Sequence, residues 1–382
     1  MTDFTEINKI YLLLGPQCNM KCRHCSQIPI KSNEKITDVM SDSVWNFLDN
    51  YIQFCLQQET NPYSKQGKSI IFWGGEPLLH WDLIKEIISH FTKKYKLTPF
   101  NFDKFAFSFV TNGILLDETK VKFLNEHYVK VALSYDAPYP FIARGKISEN
   151  TVAIANTLRY LSTISTFNAQ NCDYYLAARC MAKKFPHRKH NFNFPLLHTF
   201  DIPKDLYEYD MEKVKISLKK LRIATQLGDK QAFTMFHQLT LPLKYPSMNK
   251  IFHTYNIRPC ASGIHNYSIT LDGNIVTCHN SNEIIGTTKD TKEIIFQRML
   301  EKYQKRSSPF CKTCTVRDIC IGNCSFALRD KNKKYILCDT FFIPFYQTVK
   351  EELLQIKEPI LKEEMKWFNE EWEKDNKFIK NF

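Results

Sequence analysis

No charge-free apolar run in this 382-residue chain reaches the roughly twenty residues that a membrane-spanning helix requires. The first residues, Met1 to Lys9, carry acid and lack the basic-then-apolar order of a secretion signal. No internal repeat or low-complexity segment is present. These absences argue against a membrane protein and against a secreted disulfide scaffold, and they make the cytoplasm the expected compartment. What is present is ordinary for a globular protein: 43% hydrophobic and 24% charged residues. The length suffices for two domains, or for one barrel with an extension. The formal charge of +12 points to anionic partners: nucleic acid, an acidic peptide or an acidic electron carrier. The basic residues are spread along the chain, as on a solvated surface, so nucleic acid is not expected. The 13 cysteines are not spread. Ten fall in two groups, at 18–25 and 260–338, which points to metal or redox chemistry. Cys55 falls on the apolar stripe of a helix with Val44, Phe47, Leu48, Tyr51 and Ile52, and reads as core.

The chain alternates strand-like and helix-like stretches. Ile10–Leu14, Lys68–Trp73, Phe105–Val110 and Val129–Tyr135 read as strands. Amphipathic helices are expected from Ser41, through Trp81 to Tyr95, from Leu116 to His127 and from Ser148 to Leu161. Tyr174–Met181 reads as a fifth strand, with Cys172 and Cys180 on one face and Arg179 on the other. A loop and a short strand near His198 should follow, then a helix over Tyr209–Leu227. This rhythm predicts βα units around a parallel sheet, whose chemistry lies in the loops after the strands. The first cysteine loop, Gly74-Gly75-Glu76-Pro77, Thr111-Asn112-Gly113 and Ser134-Tyr135-Asp136 all occupy that position.

Cys18, Cys22 and Cys25 form C-x3-C-x2-C just after the first strand. Chance would supply about 0.015 such matches at this cysteine content. Three thiolates in a short loop suit a four-iron cluster with one iron left without a protein ligand. Zinc is the competing reading, but a structural zinc takes a fourth protein ligand, and His24 sits tightly between two cysteines.

With these loops in order, the chain resembles the radical S-adenosylmethionine (SAM) superfamily. The resemblance implies that Cys18, Cys22 and Cys25 hold the catalytic cluster and that SAM chelates its open iron. Reductive cleavage of SAM then yields a 5′-deoxyadenosyl radical that abstracts hydrogen from substrate. Gly74, Gly75, Glu76 and Pro77 resemble the loop that binds the SAM amino group. Thr111 and Asn112 resemble the loop after the third strand. Ser134 and Asp136 resemble fourth-strand residues near the ribose or carboxylate, and Arg144 resembles an arginine on the SAM carboxylate. His24 takes the place of an aromatic residue near the adenine. The implied fold is α/β, a partial (β/α)6 TIM-like barrel followed by a cysteine-rich SPASM domain.

The second group, Cys311-x2-Cys314-x5-Cys320-x3-Cys324, with Cys260, Cys278 and Cys338, resembles that SPASM extension. The resemblance implies two auxiliary clusters, hence three [4Fe-4S] clusters in all. Cys311, Cys314, Cys320 and Cys338 would hold one. Cys260, Cys278 and Cys324 would hold the other, one ligand short, with His265, His279 or a substrate thiol as candidates for the open position. The expected organisation is a barrel over 1–230, a linker over 231–257, the SPASM region over 258–340 and a charged helical tail over 341–382, packed on the outside.

The leading functional expectation is oxidative modification of a ribosomally made peptide, by a thioether or carbon–carbon cross-link or another side-chain change. The alternatives are an anaerobic sulfatase-maturating type, a small-molecule SPASM dehydrogenase and, outside enzymes, an iron–sulfur electron-transfer protein. Against the sulfatase type stand the missing cysteine and His279 in place of an aspartate assigned there as base. Expected partners are a peptide or protein substrate, a flavodoxin or ferredoxin reductant and, because the cluster loop begins at Cys18, a separate leader-binding protein. Cys172 and Cys180 read as core cysteines, with a role as acid or hydrogen donor as the alternative.

Overall fold

The first strand, β1 (Lys9–Gly15), sets the pattern for the architecture. Ile10, Leu12 and Leu14 are fully buried on one face, while Lys9, Tyr11 and Leu13 line the other. The structure is a computed structural model. It describes residues 4–25, 27, 39–58, 67–193, 202–244, 264–305, 309–317, 320 and 335–381. Cys260, Cys324 and His198 lie outside the described residues.

The strands β2 (Lys68–Gly74), β3 (Phe105–Thr111), β4 (Lys130–Ser134), β5 (Leu161–Thr166) and β6 (Lys189–Asn193) follow β1 in parallel. The helices α1 (Asp42–Gln57), α2 (Trp81–Tyr95), α3 (Glu118–Glu126), α4 (Pro140–Ala143), α5 (Glu149–Asn156) and α6 (Tyr174–Lys184) fall between them. Pairing runs β6-β5-β4-β3-β2-β1, the order of a βα barrel opened along one side. Apolar stripes on α1 (Val44, Phe47, Leu48, Tyr51, Ile52) and α2 (Ile84, Ile87, Ile88, Phe91) are buried against the strands' outer face. Cys55 is buried on the α1 stripe, as expected of a core residue.

The fifth strand is not where the sequence pattern puts it. Tyr174–Lys184 is a helix, and β5 is Leu161–Thr166, a stretch expected to be a helix end followed by a loop. Seven of the eleven α6 residues are buried, so no polar stripe marks it as helical. Its start is nonetheless signalled by Asp173, whose carboxylate accepts from Leu176 N as an N-cap. Cys172 and Cys180 therefore do not share a strand face. Burial pushes their thiols up, to about 11 and about 12, so both are protonated core cysteines at neutral pH. The sixth strand is Lys189–Asn193, and the short strand expected near His198 lies outside the described residues.

Two further helices, α7 (Met211–Gln226) and α8 (Lys230–Lys244), pack on α6 and on each other, so the start of the stretch expected to be a linker is helical. The cysteine-rich part is continuous with the barrel sheet. Its strand β7 (Asn266–Thr270) pairs in parallel with β1, followed by the antiparallel β8 (Asn274–Val276) and β9 (Ile284–Thr287). After α9 (Lys292–Lys305), the chain closes with α10 (Ile343–Gln355) and α11 (Lys362–Asn381). These charged helices are pinned by buried cations of α7. Lys220 Nζ lies 2.8 Å from Asp173 and 3.0 Å from Asp375 of α11. Arg222 meets Glu352 of α10 at 2.6 Å and Glu364 of α11 at 2.5 Å. Among the described residues no helix is long and apolar enough to cross a membrane.

Candidate functional site

The loops after β1, β2, β3 and β4 meet at one end of the sheet, where the expected site residues gather. The cysteine loop is clamped by the β2 loop through the backbone. Gly75 N donates to Gly15 O and Glu76 N to Gln17 O, both at 2.8 Å. A Cβ on Gly74 would sit 2.3 Å from Gly15 O, and one on Gly75 2.1 Å from Gln17 O. Both glycines are thus required by the contact between the two loops.

Glu76 is buried, 1% exposed, and holds three loops together. Its Oε1 accepts from Leu78 N at 3.1 Å and from Thr111 Oγ1 at 2.7 Å, and its Oε2 from Asn112 N at 2.8 Å. Burial pushes its carboxyl above the ordinary range, and the bonds from Asn112, Thr111 and Leu78 and the charge of Arg144 oppose that push. Oε2 takes one bond where a carboxylate oxygen has room for two. Asn112 Nδ2 also donates to Asn19 Oδ1 at 2.8 Å, tying the β3 loop to the cysteine loop.

Asp136, 1% exposed, organises the other side. Thr166 N of β5 donates to its Oδ1 at 2.8 Å, and Arg144 Nε donates to its Oδ2 at 3.1 Å. Arg144 Nη2 lies 3.3 Å from His24 Nε2, and Arg144 Nη1 lies 3.9 Å from Cys22 Sγ. His24 is buried and neutral. Desolvation lowers it to about 4, against the raising effect of Asp136. With Nε2 facing the guanidinium, the proton belongs on Nδ1, a buried donor with no partner among the described residues.

Burial raises the Cys22 thiol to about 11; Arg144 opposes this, while Cys25, Asp136 and Cys18 add to it. Among the described residues no three His, Cys, Asp or Glu side chains converge to hold a single metal ion. That geometry is not required of a four-iron cluster, in which each cysteine binds its own iron. Met20 N donates to Cys18 Sγ at 3.4 Å. Ser134 is buried at the end of β4, and Pro77 opens the 3-10 turn after Glu76. Sequence reasoning missed Asn19, Thr166 and Arg23, whose N donates to Ala143 O at 2.7 Å. These serve through loop contacts, which leave no periodic trace.

Of the second cysteine group, Cys278 is buried and its Sγ accepts from Asn280 N at 3.4 Å. Cys311, Cys314, Cys320 and Cys338 are partly exposed. His265 Nδ1 lies 3.0 Å from Glu6 O. His279 stacks on Tyr11, ring centroids 4.4 Å apart, and meets Trp73 edge-on at the same distance.

Residues 12–166, which carry the loops after β1 to β4, match the Radical SAM superfamily. That segment, about two fifths of the chain, is similar to the radical SAM domain, and the chain is an enzyme. A radical SAM cyclopropyl synthase, TigE of Paramaledivibacter caminithermalis, is 21% identical over 375 residues, 94% of this chain and 76% of TigE. A cysteine-type anaerobic sulfatase-maturating enzyme of Clostridium perfringens is 32% identical over 132 residues, about a third of each chain. Among solved structures, anSMEcpe with bound AdoMet superposes with a TM-score of 0.63 at 17% identity, covering 94% of this chain and 98% of that one. Streptococcus suis SuiB bound to its precursor peptide SuiA gives 0.57 at 14% identity, covering 87% of this chain and 75% of SuiB. The α/β fold with a parallel-sheet core is thus that of radical SAM barrels.

Proposed function

We propose that this chain is a peptide maturase that uses SAM and a four-iron cluster to modify a ribosomally made peptide oxidatively. Three features of the site fit those groups. Cys18, Cys22 and Cys25 share one loop with a guanidinium 3.9 Å from Cys22 Sγ, His24 Nδ1 is a buried donor lacking an acceptor among the described residues, and Glu76 Oε2 has an open acceptor position. Cys18, Cys22 and Cys25 would ligate the cluster. Glu76, in the Gly74-Gly75-Glu76-Pro77 loop, would accept from the SAM ammonium, with Thr111 and Asn112 fixing its rotamer. Arg144 would take the SAM carboxylate, held in place by Asp136; Ser134 and His24 would line the nucleoside. When bound, the cluster and SAM supply a 5′-deoxyadenosyl radical for hydrogen abstraction. The chain's own work is to orient these groups and to exclude water from them.

The observation that carries the reading is the reach of the likeness. TigE matches over 94% of this chain. Peptide as substrate is supported by the peptide-bound states of anSMEcpe and SuiB. Residues 258–340 would then form a SPASM region with two auxiliary clusters, held by Cys311, Cys314, Cys320 and Cys338 and by Cys260, Cys278 and Cys324. A flavodoxin or ferredoxin would supply electrons and a separate protein the leader recognition. A sulfatase-maturating activity is the second reading, favoured by the near-complete structural coverage of anSMEcpe. The test is anaerobic co-expression with each short peptide, and with any sulfatase, encoded beside the gene, read by mass spectrometry. A peptide that loses hydrogen mass only when the chain is present supports the reading. A modified sulfatase with unmodified peptides favours the second, and no mass change in either overturns both.

A further inference from the structure

The bore of the barrel is lined by the strand faces opposite the helices. Register places Tyr11 of β1 beside Ile71 of β2 and Ser268 of β7, and Leu13 beside Trp73 and Thr270. Tyr11, Trp73 and Ser268 therefore share the bore face. Tyr11 and Trp73 meet edge-to-face, centroids 5.6 Å apart at 87°. His279 inserts against both, stacked on Tyr11 and edge-on to Trp73. Two polar atoms of this face are buried without a partner among the described residues: the indole Nε1 of Trp73 and Oγ of Ser268.

An indole N–H in a buried position nearly always finds an acceptor, because leaving it unpaired costs the whole of its hydration. Serine can turn its hydroxyl toward a neighbouring carbonyl; tryptophan has no such freedom. The ring is held on two sides and Nε1 has no acceptor among the described residues, so it is open to one from a bound ligand. Its place in the chain narrows what that acceptor is. Trp73 directly precedes Gly74-Gly75-Glu76, β1 leads into Cys18, and His279 follows Cys278. The three rings lie between the loop of the first cysteine group and a member of the second.

We propose that this face is a subsite for a peptide amide, with Trp73 Nε1 donating to a backbone carbonyl of the substrate and Tyr11 and His279 as its aromatic walls. Resting on the peptide reading above, it adds the part of the chain that recognises the substrate's backbone. Ser268 Oγ, on the neighbouring strand, is the acceptor available to the N–H of such an amide. Recognition of backbone rather than side chain would let the reacting residue project past the rings toward the cysteine loop.

The probe is a pool of capped random hexapeptides, equilibrated by dialysis with cluster-loaded, SAM-saturated enzyme and quantified by mass spectrometry. The wild-type enzyme should retain a defined subset. Trp73→Phe, which keeps ring area and removes the donor, should lower that retention about tenfold, the worth of one bond from an otherwise unpaired buried donor. Trp73→His, which restores an N–H, should recover part of it. On the ligand side, peptides with an alkene replacing each amide in turn should lose retention at one position, a readout that needs no variant to fold. Equal retention by Trp73→Phe, or tolerance of the alkene everywhere, would overturn the proposal, as would no retention by the wild type. Weaker SAM binding by Trp73→Phe with peptide retention intact would assign the donor to SAM and also overturn it. Retained hexapeptides with no modified peptide in co-expression would leave the subsite standing and remove the maturase reading.

Discussion

Replacing Glu76 by glutamine tests the centre of the site. The carboxylate accepts three hydrogen bonds, two at Oε1 and one at Oε2. In the amide one oxygen becomes an NH2 group. At the Oε2 position that group faces Asn112 N–H, donor against donor. At the Oε1 position it faces Leu78 N–H, and only the Thr111 hydroxyl can turn to accept. Either way one charge-assisted bond is lost and a buried backbone N–H is left unpaired, a cost of about 3 kcal/mol. The neutral amide avoids the desolvation that pushes the Glu76 carboxyl up, so the net loss should be nearer 2 kcal/mol. Urea unfolding of the metal-free chain should show a lower midpoint at unchanged slope. Equilibrium dialysis of the cluster-loaded variant should show SAM affinity reduced about tenfold, because the acceptor facing the ammonium loses its charge or, with nitrogen at the Oε2 position, is gone. Stability within about 0.5 kcal/mol of the parent would refute the hydrogen-bond argument. Lost stability with unchanged SAM affinity would refute the assignment of Glu76 to the SAM ammonium.

Other outcomes follow from buried groups away from the site. His190 of β6 is buried with Nδ1 2.8 Å from Thr163 Oγ1, and desolvation lowers it from 6.5 to about 4. The unfolded ring takes a proton below about 6.5, so stability is full above that pH and is lost as pH falls toward 4, by about 2 kcal/mol at pH 5. His190→Asn, which can keep the Thr163 contact without titrating, should flatten that part of the pH–stability curve; an unchanged curve would contradict the burial argument. Lys220→Met leaves Asp173 and Asp375 facing each other unneutralised and should cost about 3 kcal/mol, with faster proteolysis within α11. Protease resistance equal to the parent would show that the tail is held by other contacts.

Much of this was legible in the sequence because the first four strands and their helices follow simple periods. Alternating burial on β1 and helical stripes on α1 and α2 put four loops at one sheet end, and the chemically distinctive residues lie in those loops. The reading failed where period gave no signal. The α6 helix is buried on most sides, and β5, Leu-Ser-Thr-Ile-Ser-Thr, hides small hydroxyl residues in its buried face. Only the Asp173 cap marked the boundary. The expected site residues of the first four loops gather at one sheet end, but their pairings left no mark in the sequence. Gly74 and Gly75 are explained by loop-on-loop contact, and Arg144 is paired with Asp136. The joining of β7 to β1 is a long-range pairing that no local pattern encodes. His279 was singled out as a candidate ligand; only the folded chain reveals that it packs on Tyr11 and Trp73.

The most direct test of the account is the anaerobic reaction of the reconstituted chain with SAM and a reductant, run beside Cys22→Ala. The wild type should release 5′-deoxyadenosine and methionine. The variant should release neither while keeping the iron of the proposed auxiliary clusters. Cleavage retained by Cys22→Ala, or no cleavage by a fully iron-loaded wild type, would contradict the assignment of Cys18, Cys22 and Cys25 as the centre of the chemistry.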